Sequence, residues 1–184
     1  MDKSIIHLDI PDFFAAMEET RNAGLKRKAF ALAAPGSRSI IQGVNLNARK
    51  EGIAEGMALN QARRLCRKLF IIPPDLRFYR DRHDSLLRDL DHYSPLVEGV
   101  HLGHFFIDVS GTRRLFGPPQ DVAFSMETRI SREKGIQVRA GLAANKLVSS
   151  VAAHLSRPGD MSCVFPGLER PFLFPLPVTA LPGV

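Results

Sequence analysis

Val97 to Thr112 reads VEGVHLGHFFIDVSGT, two apolar runs separated by a Gly-His pair. Val97 to Leu102 and Phe105 to Val109 have the composition of strands. Gly103-His104 fits a two-residue hairpin loop of type II′, which places glycine at its first central position. Elsewhere strands and helices alternate, so a hairpin in their midst argues for the α+β class, a mostly antiparallel sheet flanked by helices.

Working outward, Ile5 to Asp9 is a short β-rich run broken by Pro11, and Asp12 is placed to cap a helix carrying Phe13, Phe14 and Met17. A strand pair is expected over Ala29 to Ala34 and Ser39 to Val44, turning at Pro35-Gly36, with a short helix and loop in NLNARKEGIAEGM. Ala62, Leu65, Cys66 and Leu69 fall at helical spacing between Asn60 and Leu69 and leave Arg63, Arg64, Arg67 and Lys68 on the other face, a basic stripe. Phe70 to Ile72 reads as a strand. Leu76, Tyr79, His83, Leu86, Leu87 and Leu90 mark a long amphipathic helix in which His83 is a core residue. A helix around Val122 to Ile130, a strand over Ile136 to Ala143 and a helix from Leu147 to Leu155 follow, and the proline-rich tail from Pro166 reads as an irregular connector.

The chain has 184 residues, 45% of them hydrophobic, which suffices for a buried core. Lys and Arg number 25 against 19 Asp and Glu, a net charge of +6. That balance suits an anionic partner such as nucleic acid or nucleotide, or serves solubility alone. The start MDKSIIHLDI is too short in apolar residues for a secretory signal, and there is no run of 18 apolar residues, so no membrane partner is expected and the location is cytoplasmic. Cys66 and Cys163 stand far apart with no ligand motif beside them, and read as free thiols.

Two charges stand out. Lys146 falls in the first turn of a helix that directly follows a strand, where a cation meets the positive end of the helix dipole. An anion such as phosphate bound there would make it favourable; otherwise it is a surface lysine. Arg49, beside Lys50 and near Gly52, is a second cationic point. Asp9, ending an apolar strand, is either a helix-entry residue or a metal-binding carboxylate.

The fragments LDIPDFFAAME, NLNARKEGIAEGM, QARRLC, YSPLVEGVHLGHFFIDVSG, GLAANKLVSSVAAHLSRPGD and FLFPLPVTALPGV together resemble, in order and spacing, the Y-family translesion DNA polymerases, most closely the bacterial branch that includes UmuC and DinB proteins. The resemblance implies a palm over residues 1–25 and 77–165, fingers over 26–76, and a connector over 166–184 leading into a thumb that is absent here. It implies two-metal nucleotidyl transfer with magnesium held by carboxylates. By position, Asp9 matches a metal carboxylate and Ile10 a residue whose carbonyl also binds metal. Phe14 matches the residue that excludes a ribose 2′ hydroxyl, and Arg49 and Lys146 match cations that hold the incoming deoxynucleoside triphosphate.

Where the family pattern resembles SLDEAFLDV, this chain has HLGHFFIDV, so Gly103 and His104 occupy the positions of two metal-binding carboxylates. Asp108 lies four residues along the strand, roughly 13 Å away, and cannot replace them. Leu46, Gly43 and Pro11 also depart from the family's pocket. The resemblance therefore implies a non-catalytic or severely impaired homologue in DNA damage tolerance, with magnesium weak or absent. Its partners would be DNA and the proteins of a mutagenesis or replication complex, and its location nucleoid-associated. Two alternatives are an active error-prone polymerase using Asp9, His104 and a softer ion such as manganese, and a nucleotide-binding scaffold domain built on Arg49 and Lys146.

Overall fold

The structure is a computed structural model and describes residues 3–36 and 38–182; the Gly183-Val184 end of the LPGV motif lies outside them. The chain forms two compact units, one from the segment ending at Pro11 together with the segment from His83 onward, the other from Asp12–Arg82.

The first strand, β1 (Ile5–Asp9), is buried along its whole length. Pro11 stops it because proline has no N–H to continue a ladder. Asp12 then takes a left-handed conformation, φ 49°, at the N-cap position of α1 (Phe13–Arg21). The expected cap is not made. Asp12 makes no side-chain capping bond, and its carboxylate pairs instead with Arg49.

In the second unit β2 (Phe30–Leu32) lies between an antiparallel β3 (Gly43–Val44) and a parallel β4 (Phe70–Ile72). The Ser39 to Val44 strand is thus reduced to its last two residues, because the Ile41 N–H turns away to donate to the Met57 carbonyl at 2.9 Å. Asn45 caps α2 (Leu46–Lys50) and also ties it to β2, its side chain accepting from the N–H groups of Ala48 and Phe30 at 3.0 and 3.1 Å. Helix α3 (Leu59–Leu65) ends where Cys66 turns extended. That early stop removes Leu69 from the expected stripe and leaves Leu65 exposed, while Ala62 packs with Ile41, Val44 and Ile53. Helix α4 (Leu76–Leu90) buries Tyr79, His83, Leu86 and Leu90 of its expected stripe, whereas Leu76 at its first position is exposed and Leu87 is half-buried. The Tyr79 hydroxyl donates to the buried Glu18 at 2.8 Å, and burial, with that bond, pushes its pKa well up.

The first unit is built on five strands in the order β5-β6-β1-β7-β8, where β5 is Val97–His101, β6 His104–Asp108, β7 Arg139–Ala143 and β8 Met161–Cys163. All pairs are antiparallel except β7–β8. Helices α5 (Arg113–Phe116), α6 (Pro119–Lys134), α7 (Lys146–Leu155) and α8 (Glu169–Leu173) complete it. The tail therefore carries a short helix and a 3₁₀ turn at Val178–Ala180, where an irregular connector was expected. Side chains alternate across β1 and β6. Phe105 faces α4, stacking on the His83 ring at 4.6 Å, whereas His7 and Asp9 share the opposite face with His104 and Phe106.

Helix α7 lies against β7 on that second face. A Cβ at Gly141 would fall 2.0 Å from the Ser149 carbonyl oxygen, so only glycine admits this approach. Among the described residues no helix is long and apolar enough to cross a membrane, and Cys66 and Cys163 are half-buried free thiols.

Candidate functional site at the β1–β6 strand ends

The hairpin turns one residue earlier than its sequence suggests. His101 pairs with His104 across β5 and β6, leaving Leu102-Gly103 as the loop, and Gly103 supplies the positive φ (89°) at the second central position. A type II′ turn needs it at the first. His104 is consequently the first residue of β6 and projects from the sheet instead of from a turn.

Register carries this hairpin to the end of β1. Asp9 stands opposite His104, the Ile10 N–H donates to the Gly103 carbonyl at 3.0 Å, and the Gly103 N–H donates to His83 Nδ1 at 3.2 Å. Asp9, Ile10, Gly103 and His104 thus come together, as the sequence resemblance requires. On the other side of β1 Asp9 faces Arg139 of β7. The guanidinium binds Asp9 Oδ2, while His104 Nδ1 lies 3.5 Å from Oδ1. The carboxylate is buried between these two groups.

Beside Asp9, the His7 ring stacks between Phe106 (4.4 Å) and His104 (5.6 Å). Burial, helped by His104 and opposed by Asp9, lowers the His7 pKa to about 4. Burial also lowers that of His104 against the pull of Asp9, and that of His83. Above pH 6.5 both the folded and the unfolded chain hold His7 neutral. Between about 6.5 and 4 the unfolded chain takes up a proton that the buried ring refuses, so stability falls as pH falls through this window. His7 alone should remove roughly 2 kcal/mol between about pH 7.5 and pH 5, with His104 and His83 adding in the same direction. Denaturant titrations at the two pH values measure it. The His7→Phe variant, which keeps the stack, should lose that share of the pH dependence, and an unchanged dependence would contradict the assignment.

The donor set does not suit magnesium, which takes oxygen ligands in near-octahedral order. Of the three positions expected to hold carboxylates only Asp9 has one, and both its oxygens face cationic or imidazole groups of the same sheet. Gly103 has no side chain, and imidazole is a poor magnesium ligand. Asp108 pairs with Ile5 at the far end of β1, where Oδ1 accepts from the Ser110 N–H at 2.9 Å. Among the described residues no group of three His, Cys, Asp or Glu side chains is disposed to hold a metal ion.

A cavity of about 440 Å³ opens beside Asp9 and His104, lined also by Phe106, Lys146, His154 and Leu181. Lys146 begins α7, whose N-cap is Asn145. Its ammonium lies 5.4 Å over the Phe106 ring and pairs with the Glu98 carboxylate. Phe14 and Arg49 belong to the other unit. There Arg49 pairs with Asp12, Phe14 packs on Tyr79 at 4.9 Å, and a Cβ on Gly43 would lie 3.7 Å from that of Phe14. Leu46 is exposed. Sequence reasoning missed Arg139, Glu98 and His7. A signal existed for the first: an arginine within the apolar run IQVRAGLA must point its charge toward a partner on one sheet face.

The profile of the impB/mucB/samB family matches residues 8–154. DNA polymerase IV 2 of Mesorhizobium japonicum is 30% identical over 181 residues, 98% of this chain and 43% of its own length. DNA polymerase IV of Desulfatibacillum aliphaticivorans is 31% identical over 180 residues, covering 98% and 46%. The chain therefore spans about half the length of the curated relatives it matches. Among solved structures, DinB from Sulfolobus solfataricus superimposes with a TM-score of 0.90 at 23% identity, over 98% of this chain and 54% of that one, a likeness of fold.

Proposed function

The chain belongs to the impB/mucB/samB family of Y-family DNA polymerase domains, and we propose that it acts in DNA damage tolerance as a DNA- and partner-binding homologue whose own nucleotidyl transfer is lost or severely impaired. One observation carries the reading. The residue facing Asp9 across β1 and β6 is His104, preceded by Gly103, so two ligands of the family's metal pair are missing at the place where β1 delivers the third. On this reading residues 1–25 and 77–165 are palm and 26–76 fingers. Asp9 and Ile10 are the remnant of the metal site, and Phe14 is the residue against the sugar of a nucleotide.

Lys146 and Arg49 are the cations that would receive a triphosphate. Each already holds a carboxylate of its own unit, Glu98 and Asp12, which a nucleotide would have to displace. Nucleotide binding is accordingly weak. DNA binding draws on the net charge of +6 and is electrostatic, without dependence on a divalent ion.

The test is fluorescence anisotropy with a labelled primed duplex, with and without EDTA, across a salt series, followed by incubation of the EDTA-free samples with magnesium and the four deoxynucleoside triphosphates to look for primer growth. Binding should be unaffected by EDTA and weaken steeply with salt, with dissociation constants of about 10⁻⁴ to 10⁻⁶ M at physiological salt. No nucleotide should be added. Salt-insensitive, sequence-specific binding, or binding that needs magnesium, would overturn the reading.

A further inference from the structure

Loss of two carboxylates explains a weak metal site, but not why the remaining one is neutralised from within. Arg139 stands directly opposite Asp9 in the β1–β7 register. Its guanidinium binds Asp9 Oδ2 through one nitrogen and donates through Nη1 to the His154 carbonyl at 3.2 Å. That carbonyl belongs to the last turn of α7, the negative end of a ten-residue helix, which favours a cation. The side chain is largely buried, with Nε enclosed and without a hydrogen-bond partner. An arginine keeps its charge at any ordinary pH, and this one is held through both terminal nitrogens of its guanidinium, one on Asp9 and one on the His154 carbonyl.

We propose that Arg139 is a built-in counter-ion occupying the electrostatic place of a divalent metal on Asp9, so that restoring carboxylates at positions 103 and 104 does not by itself rebuild a cation site. The inference rests on reading Asp9 as the family's metal position; it does not depend on DNA binding or on the absence of catalysis. Two cations on one buried carboxylate repel each other, whereas removing the guanidinium leaves an uncompensated charge that a divalent ion would relieve.

Manganese(II) is the probe, its binding followed by electron paramagnetic resonance of the free ion and by calorimetry, with the whole chain throughout. Gly103→Asp with His104→Glu should bind manganese little better than the unmodified chain. Adding Arg139→Gln should tighten binding at least about tenfold. Adding Arg139→Lys instead, which keeps the charge, should leave binding as weak as in the double variant. Introducing Asp9→Asn together with Arg139→Gln should abolish the gain.

If removing the guanidinium lowers thermal stability, manganese should raise the melting temperature of the triple variant with Arg139→Gln by more than that of the double variant. The proposal fails if the double variant already gains the full affinity, if the Arg139→Lys and Arg139→Gln forms bind alike, or if manganese shifts both melting temperatures equally. Such a failure would leave the DNA-binding reading standing, because that reading rests on Gly103 and His104.

Discussion

Primer extension in magnesium by the protein that carries this chain is expected to run at least about a thousandfold below that of a DNA polymerase IV relative assayed alongside. In the two-metal reaction one ion generates the attacking 3′ oxygen nucleophile and both stabilise the charge that grows on the transferring phosphoryl group. On the reading proposed above, the ligands for those ions are reduced to Asp9, whose carboxylate binds Arg139 and faces His104. A thousandfold is about 4 kcal/mol of lost transition-state stabilisation, a small share of what two fixed metals supply. Single-turnover incorporation on a primed template, in magnesium and in manganese, measures it. Rates within about tenfold of the relative's would show that Asp9 retains its ions despite its neighbours, and would remove the basis for a binding role.

The Gly141→Ala substitution is expected to destabilise the first unit by about 3 kcal/mol or more, the upper end of what overpacking costs. The added methyl would lie 2.0 Å from the Ser149 carbonyl oxygen and 2.4 Å from the Ala153 amide nitrogen. Both are backbone atoms of α7, so no side chain can rotate out of the way and the helix must lift from β7. Gly141 pairs with His7 on the strand that carries Asp9, so lifting α7 should also disturb the histidine stack and the Arg139–His154 contact. Gly111→Ala is the matched control. Nothing lies within 4 Å of its Cβ, and its effect should stay within about 0.5 kcal/mol. Urea denaturation of both variants decides the matter: equal midpoints would mean that α7 does not approach β7 as described.

What the sequence determines by itself is whatever short-range chemistry dictates. Short runs rich in β-branched and aromatic residues form β1, β5 and β6, and the stripe Tyr79, His83, Leu86, Leu90 forms the buried face of α4, because strand preference and helical repeat are properties of neighbouring residues. That positions 103 and 104 hold glycine and histidine, neither of them a carboxylate, is likewise plain in the sequence, since the identity of a residue needs no structure to establish it. Only the tertiary structure decided what those residues face. Arg139 meets Asp9 across 130 positions of sequence, and Lys146 meets Glu98 across 48. The first pairing follows from strand register, and a slip of one residue would have sent Arg139 to the other face of the sheet; the second follows from where the N-terminus of α7 lies beside β5. The same holds at smaller scale. Asp12 has the composition of a helix cap, but Arg49, supplied by a distant segment, holds its carboxylate; and the hairpin's phase, read locally as Gly103-His104, is set to Leu102-Gly103 by the pairing of His101 with His104. Local preference proposes which residues can turn, cap or bind, and the partners that long-range packing delivers select among those options, because a buried charge at Asp9 is tolerated only where the fold brings a cation to it.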